Sequence, residues 1–280
     1  MEKIMRSTEI LSELRTIRRA MPGVFGLIPT MGALHEGHAS LIRRARLECD
    51  HVGVSIFVNP TQFIPGEDLA QYPRTIENDL GLLSNFGVDV VFTPTPEVMY
   101  PGGYQTWIEV GKISQPLEGA HRPGHFCGVA TVVAKLFHAF NPDRAYFGQK
   151  DAQQVAVLRR MVTDLNFPVE MVVGPTVRES DGLALSSRNA YLNIEERKAA
   201  PVLYQALLAA KVKFDAGERN ADALRAVVHE TIATVPLVDT QYVSIAHPDT
   251  LEELSEVGAG SLLSLAARIG TTRLIDNILL

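Results

Sequence analysis

The segment Pro29-Thr30-Met31-Gly32-Ala33-Leu34-His35-Glu36-Gly37-His38 sets two histidines three residues apart with a glycine between them. A short apolar run precedes it and a helical pattern follows. The N–H groups and positive dipole end of a helix start form an anion site. Gly32 and Gly37 let backbone approach a phosphate with no Cβ in the way. His35 and His38 share one face of that first turn, where imidazoles can donate to phosphate oxygens as charge builds on them. Two surface histidines are the plain alternative. A zinc-protease helix fits poorly, because its histidines stand four apart.

Three further segments carry chemistry-bearing side chains at the ends of apolar runs. In Phe57-Val58-Asn59-Pro60-Thr61-Gln62-Phe63, the amides of Asn59 and Gln62 suit a small substrate with hydroxyl and carbonyl groups; a strand-ending Asn-Pro turn would look the same. Phe147-Gly148-Gln149-Lys150-Asp151-Ala152-Gln153-Gln154 offers a close-approach glycine, a cation at Lys150, and Gln154 one turn further on. Asp151 reads either as a helix cap or as a ligand for ribose or metal. In Arg178–Asn189, Ser186, Ser187 and Arg188 suit a loop that closes over phosphates, or form a polar hinge in which Ser187 or Asn189 caps the next helix.

These segments need a scaffold, and the pattern supplies one. Residues 7–20 read as a helix opened by Ser7-Thr8-Glu9. Strand-like runs follow at 24–29, 51–58, 88–92, 144–147 and 169–173, with helical patterns at 38–50, 75–86, 129–140 and 152–165. Near-continuous apolar strands alternating with helices are the signature of a parallel sheet covered on both faces. Such sheets bind ligands beyond the carboxyl ends of their strands, where these motifs fall. The texture then changes to helices at 195–216 and 221–234 and strands at 241–246, 261–268 and 272–278, the last two joined at Gly270-Thr271. The expected fold is α/β, a Rossmann-like doubly wound parallel sheet with a small C-terminal α+β domain. The expected domains are 1–185, holding the catalytic segments, and 186–280.

Composition narrows the function classes. The chain has 280 residues, 46% hydrophobic and 21% charged, with a net charge of −6. That balance argues against nucleic acid or an anionic membrane as partner. Apolar runs such as 52–58 are strand-sized and too short to span a bilayer, and Met1-Glu2-Lys3-Ile4 lacks the start of a secretory signal. A cytoplasmic location is expected. Cys49 and Cys127 lack metal-ligand spacing and read as reduced, small side chains. Arg43, Arg44 and Arg46 read as a solvated helix face, or as attraction for a polyanionic substrate.

In order along the chain, the segments 29–38, 57–63, Tyr72-Pro73-Arg74-Thr75, 147–151 and Leu185–Asn189 resemble the pantothenate synthetase (pantoate–β-alanine ligase) family. That family belongs to the nucleotidyltransferases with a His-x-Gly-His motif on a Rossmann-like sheet. The resemblance implies that Met31, Gly32, Ala33, Leu34, His35, Glu36, Gly37 and His38 line an ATP site, with His38 as proton donor and His35 beside it. Gly148, Gln149, Lys150, Asp151, Val177, Leu185, Ser186, Ser187 and Arg188 would complete that site. Lys150 joins His35 and His38 as a catalytic candidate. Gln62 would contact pantoate near the arriving β-alanine, and Gln154 would hold pantoate from the other side. Leu185 stands where many relatives have methionine, an exchange of one apolar contact for another.

The implied reaction begins with attack of the pantoate carboxylate on the α-phosphorus of Mg·ATP. The neutral amine of β-alanine then displaces AMP from the pantoyl adenylate. ATP is thus a substrate, Mg2+ accompanies it with no ligands assigned, and the resemblance implies a homodimer. Two other classes remain open on the sequence. An adenylyltransferase of the same superfamily would want a basic acceptor pocket, where 57–63 and 151–154 offer amides. A nucleotide-sensing module would need neither the paired histidines nor the Ser-Ser-Arg segment.

Overall fold

A computed structural model describes residues 5–280; the Met1–Ile4 segment read above for a targeting signal lies outside the described residues. The chain forms two compact units. One runs to Gly148 and takes in Val157–Gly174; the other holds Gln149–Ala156 and Pro175–Leu280. The expected segments 1–185 and 186–280 place residues 149–156 and 175–185 differently.

In the first unit the elements run β1 (Arg6–Thr8), α1 (Leu11–Arg19), β2 (Phe25–Thr30), α2 (Glu36–Glu48), β3 (His51–Ile56), α3 (Ile76–Asn85), β4 (Val90–Phe92), α4 (Pro96–Met99), α5 (Glu118–His121), α6 (His125–Phe140) and β5 (Arg144–Gly148). After α7 (Ala152–Asp164), whose first residues belong to the second unit, β6 (Glu170–Gly174) completes a six-stranded sheet. Its order is β1-β4-β3-β2-β5-β6, and every pairing is parallel. The chain therefore builds outward from β2 through β3 and β4, then returns to lay β5 on the other side of β2. The carboxyl ends of β2 and β5 flank that reversal, the place where doubly wound sheets bind ligands.

The strands are continuous apolar runs because both faces are covered. Ile28, Val52, Val54 and Val91 pack with Leu41, Ile42, Leu83 and Tyr146 in one buried cluster. Burying side chains of this size stabilises the fold by roughly 1.5–3 kcal/mol each. Helix α6 is buried nearly all round, which accounts for its apolar sequence. The expected helix start at Ser7-Thr8-Glu9 is corrected. Ser7 and Thr8 belong to an edge strand paired with β4. Thr8 still serves the helix, since its Oγ1 accepts from the Ile10 N–H at 3.0 Å and donates to Glu13 at 2.7 Å.

The second unit adds α8 (Ile194–Ala199), α9 (Val202–Asp215), α10 (Ala221–Ala233) and the strands β7 (Val238–Ala246), β8 (Leu262–Ile269) and β9 (Thr272–Leu279). The strands form an antiparallel sheet in that order. Ile269 pairs with Thr272, so the hairpin turn is Gly270-Thr271, as the sequence suggests. Leu203, Leu207 and Phe214 of α9 join Leu224 and Val228 of α10 against Leu263, Leu265 and Leu274 of the sheet. The single helix expected over 195–216 is two helices. Pro201 has no N–H to donate, and the ladder is interrupted between Ala199 and Val202.

No helix among the described residues is long and apolar enough to cross a membrane. Cys49 and Cys127 are not disulfide-bonded, and Cys49 is buried with its sulfur 3.2 Å from the Tyr146 hydroxyl.

Candidate active site

The expected site residues divide between the two units. In the first, β2 ends at Thr30 and α2 begins at Glu36. His35 is the N-cap of α2, and its Nδ1 accepts from the Gly37 N–H at 3.1 Å. His38 returns the arrangement, its Nδ1 accepting from the His35 N–H at 3.2 Å. The rings lie 4.2 Å apart between centroids. A Cβ on Gly37 would come within 2.8 Å of the His35 ring, so glycine is what lets the imidazole lie over the helix start. With Nδ1 of both rings accepting, each neutral imidazole carries its proton on Nε2.

The turn before the helix is held from below by a residue that the sequence reading missed. Asp79, on α3 and 3% exposed, accepts the Ala33 N–H with Oδ2 and the Leu34 N–H with Oδ1, both at 2.9 Å. Thr75 Oγ1 donates to Oδ2 as well, at 3.2 Å. Ala33 has φ +50, a left-handed conformation that costs a residue with a Cβ. The carboxylate holds it there. Gly32, with φ +83, donates to Thr30 Oγ1 at 3.2 Å.

This geometry corrects one expectation. An anion site was expected among the N–H groups at the helix start, but those of Gly32, His35 and Gly37 donate within the loop and those of Ala33 and Leu34 donate to Asp79 on α3. The loop is shaped by those bonds. The arginine cluster is also structural. Arg43 pairs with Glu36, Arg44 pairs with Glu48 and donates to the Val173 carbonyl, and Arg46 meets the buried Asp89 at 2.7 Å.

At the end of β3, Asn59 caps a 3-10 turn of Pro60–Gln62. Its amide is fully engaged. Nδ2 donates to Gln62 Oε1 at 3.0 Å and to the Gly128 carbonyl at 3.1 Å. Oδ1 accepts from the Tyr100 hydroxyl at 2.8 Å and from Thr61 Oγ1 at 2.9 Å. Burial pushes the Tyr100 phenol upward, so it remains a donor. Asn59, 1% exposed, thus supports Gln62 and fixes which way its amide faces. Gln62 Nε2 then points to Met31 Sδ at 3.1 Å. A thioether is a weak acceptor, readily exchanged for a carboxylate or hydroxyl oxygen.

The backbone of Gln62 is pinned too. His125 Nδ1 lies 2.7 Å from its carbonyl oxygen, and Arg122, 3.0 Å from the other ring nitrogen, is tied to Glu67 at 2.5 Å. Burial and then the Arg122 charge lower the His125 pKa to about 4. Its imidazole is therefore neutral at pH 7 and donates from Nδ1. Gly148 ends β5, the neighbour of β2 in the sheet.

In the second unit, Gln149, Lys150 and Asp151 form a 3-10 turn leading into α7, with Gln154 on the first turn of that helix. Val177 and Leu185 are paired across a tight loop: the Leu185 N–H donates to the Val177 carbonyl at 2.9 Å, and the Glu179 N–H to Leu183 at 2.8 Å. Ser186 Oγ accepts from the Arg188 N–H at 3.3 Å and caps the turn Ser187–Tyr191. The segment is a hairpin-like loop with its own bonds, and the next helix, α8, is capped by Asn193 rather than by the expected Ser187 or Asn189. Arg197 braces it through Glu179 at 2.6 Å and Asp181 at 2.7 Å, and the hydrogen bond from Arg197 holds the Asp181 carboxyl below its ordinary range. No group of three or more His, Cys, Asp or Glu side chains among the described residues is placed to hold a metal ion.

A sequence model of the pantoate–β-alanine ligase family matches residues 3–279, so the resemblance extends through the C-terminal unit as well. The chain belongs to that family. Pantothenate synthetase of Roseiflexus castenholzii is 60% identical over 276 residues, 99% of each chain. The crystal structure of pantothenate synthetase from Thermus thermophilus superposes with TM-score 0.94 at 51% identity, covering 98% of this chain and 99% of that one. Pantoate–β-alanine ligase from Francisella tularensis, complexed with beta-gamma ATP and β-alanine, matches with TM-score 0.82 at 36% identity over 99% and 98% of the two chains. The fold described above matches that of the Thermus thermophilus enzyme.

Proposed function

We propose that this protein condenses (R)-pantoate with β-alanine, consuming ATP and releasing AMP and pyrophosphate, through a pantoyl-adenylate intermediate. The observation that carries the reading is the reciprocal His35–His38 cap at the carboxyl end of β2. Membership of the ligase family, and a relative complexed with a nucleotide of the ATP type and β-alanine, support it.

In the first step a pantoate carboxylate oxygen attacks the α-phosphorus, and pyrophosphate leaves with the electron pair of the broken P–O bond. Charge builds on the phosphoryl oxygens and on the leaving group. His35 and His38 answer it as neutral Nε2–H donors, and Lys150, Ser186, Ser187 and Arg188 supply further donors and positive charge. Both histidines act here through Nε2–H, with His38 as the proton donor and His35 beside it. Magnesium arrives on the triphosphate, as Mg·ATP, and no side chain is assigned to it. Met31–His38, Gly148–Asp151, Val177 and Leu185–Arg188 form the nucleotide site in this reading.

Gln62 and Gln154 hold pantoate, with Asn59 acting through Gln62. In the second step the β-alanine amine attacks the acyl carbon of the mixed anhydride. The C–O bond to AMP breaks, the amide forms, and the amine proton passes to solvent or to the departing phosphate. Holding the reacting groups in line contributes roughly 7–11 kcal/mol in such reactions. The catalytic segments lie within residues 1–188 in this account. A homodimer in the cytoplasm completes it, in keeping with family membership and the two unpaired cysteines. A monomeric mass in sedimentation at working concentration would overturn the dimer.

The test of the function is product formation from Mg·ATP and pantoate with and without β-alanine. Steady AMP formation only when both acids are present is expected. Pyrophosphate release with other acceptors and none with pantoate would contradict it.

A further inference from the structure

Strand β9 carries two adjacent buried polar residues, Asp276 at 3% exposure and Asn277 at 4%. Consecutive strand residues face opposite sides of a sheet, and these two engage different segments of the second unit. Asp276 accepts a two-pronged pair from Arg178, at 2.6 and 2.8 Å. The same guanidinium lies 3.7 Å from the Tyr204 ring centroid and donates to the Gly182 carbonyl at 3.1 Å. Arg178 opens the loop whose far side is Leu185, Ser186, Ser187 and Arg188.

Asn277 reaches the other segment. Its Nδ2 donates to the carbonyls of Gln149 at 3.0 Å and Lys150 at 2.8 Å, and its Oδ1 accepts from Gln149 Nε2 at 3.1 Å. The backbone at Lys150 is therefore fixed by a side chain far away in sequence. Polar groups buried in a sheet are costly unless fully bonded. An apolar pair of similar size would fill the space as well, so what Asp276 and Asn277 add is directed geometry.

We propose that Asp276 and Asn277 are positioning residues for the adenylation step. From one strand they fix the turn that presents Lys150 and the loop that presents Ser186, Ser187 and Arg188, so these donors form one preset array. The inference rests on the reading above that those side chains meet the nucleotide. The small antiparallel sheet then has a direct part in the chemistry, as the template for Lys150, Ser186, Ser187 and Arg188.

The test compares single and double variants by pyrophosphate release under saturating pantoate and Mg·ATP. Asn277→Ala is expected to lower kcat by ~10- to 100-fold, the scale of a displaced catalytic group, with pantoate KM within about twofold because the residues holding pantoate are untouched. In a Lys150→Ala background the same change should cost less than about threefold, because groups that act through one another are non-additive. Backbone amides at 149–152 should exchange faster with solvent in Asn277→Ala while those of α9 and α10 do not. Full additivity of the two losses, or wild-type kcat in a folded Asn277→Ala, would overturn the proposal. If Asn277→Ala does not fold, Arg178→Lys takes its place. It keeps a cation for Asp276 but loses the fork, and should lower kcat by ~10-fold, non-additively with Arg188→Ala; wild-type kcat or an additive loss there overturns the proposal. Full activity in Lys150→Ala alone would remove the reading of the nucleotide site, and this proposal with it. An impaired Lys150→Ala beside a fully active Asn277→Ala would remove only the proposal.

Discussion

His35 and His38 cap each other: the Nδ1 of His38 accepts the backbone N–H of His35, and the Nδ1 of His35 accepts the N–H of Gly37, one turn of helix opened by two imidazoles. The same bonds that start the helix choose the tautomer. An Nδ1 that accepts leaves the proton on Nε2, so a structural cap and a catalytic donor are two ends of one ring.

This division of labour within His38 can be separated by substitution. Asparagine places its polar atoms near Nδ1, glutamine near Nε2. His38→Asn should keep the cap and the melting temperature while lowering adenylation by ~10²-fold, the scale of losing an oriented donor. His38→Gln should retain more activity and lose about 0.5–2 kcal/mol of stability with the cap. Thermal melts and pyrophosphate release read both. The reverse order of activities would rule out the neutral-donor role.

Asp79 holds a strained residue, and that strain is measurable. Asp79→Asn keeps one acceptor oxygen and sets an NH2 group against a backbone N–H. A loss of about 1–3 kcal/mol in stability is expected, with adenylation reduced by ~10-fold or more as the loop shifts. Adding Ala33→Gly relieves the left-handed conformation and should recover part of that activity. Equal losses in the single and double variants would show that the carboxylate does not act through Ala33.

His125 predicts a stability slope in acid. Its folded pKa lies at about 4, below the unfolded value of 6.5, because burial and Arg122 disfavour the charged ring. The unfolded chain thus binds the extra proton first. The contribution is fully present above pH 6.5 and is lost as pH falls from 6.5 to about 4, roughly 3 kcal/mol in all. His125→Gln should flatten the melting-temperature profile over that window relative to the parent. Parallel profiles would contradict the assignment, which also involves Arg122, Glu67 and Glu118 around the ring.

Gln62 should matter for pantoate and hardly for ATP. Gln62→Ala is expected to raise pantoate KM by ~10-fold or more, the loss of a hydrogen bond to a charged group, while the ATP dissociation constant changes less than about twofold. Asn59→Ala should reproduce the pantoate effect, because it frees the Gln62 amide to turn. A Gln62→Ala enzyme with both substrates equally weakened would count against this placement.

The parallel domain was legible because its strands are buried on both faces and read as unbroken apolar runs between helices. The edge strand at Arg6–Thr8 was not, because a three-residue polar strand carries no such signal. Pro201 was the visible mark of the break between α8 and α9, outweighed by helix formers on both sides. The site motifs were legible as residue types at the ends of strands. What they do to one another was not: the engaged backbone of Ala33 and Leu34 depends on Asp79, which reads in sequence as one more acid on a solvated helix. Asp276 and Asn277 were hidden for the same reason, since their partners lie far away along the chain. Sequence spacing reveals what can touch within a turn, and the tertiary fold supplies the rest.

At the centre of this mechanism a pantoate oxygen becomes bonded to the α-phosphorus. Pantoate labelled with 18O in its carboxylate, turned over with Mg·ATP and β-alanine, tests that step directly. One labelled oxygen in AMP and none in pyrophosphate is the predicted result; label absent from AMP, or present in pyrophosphate, would contradict it.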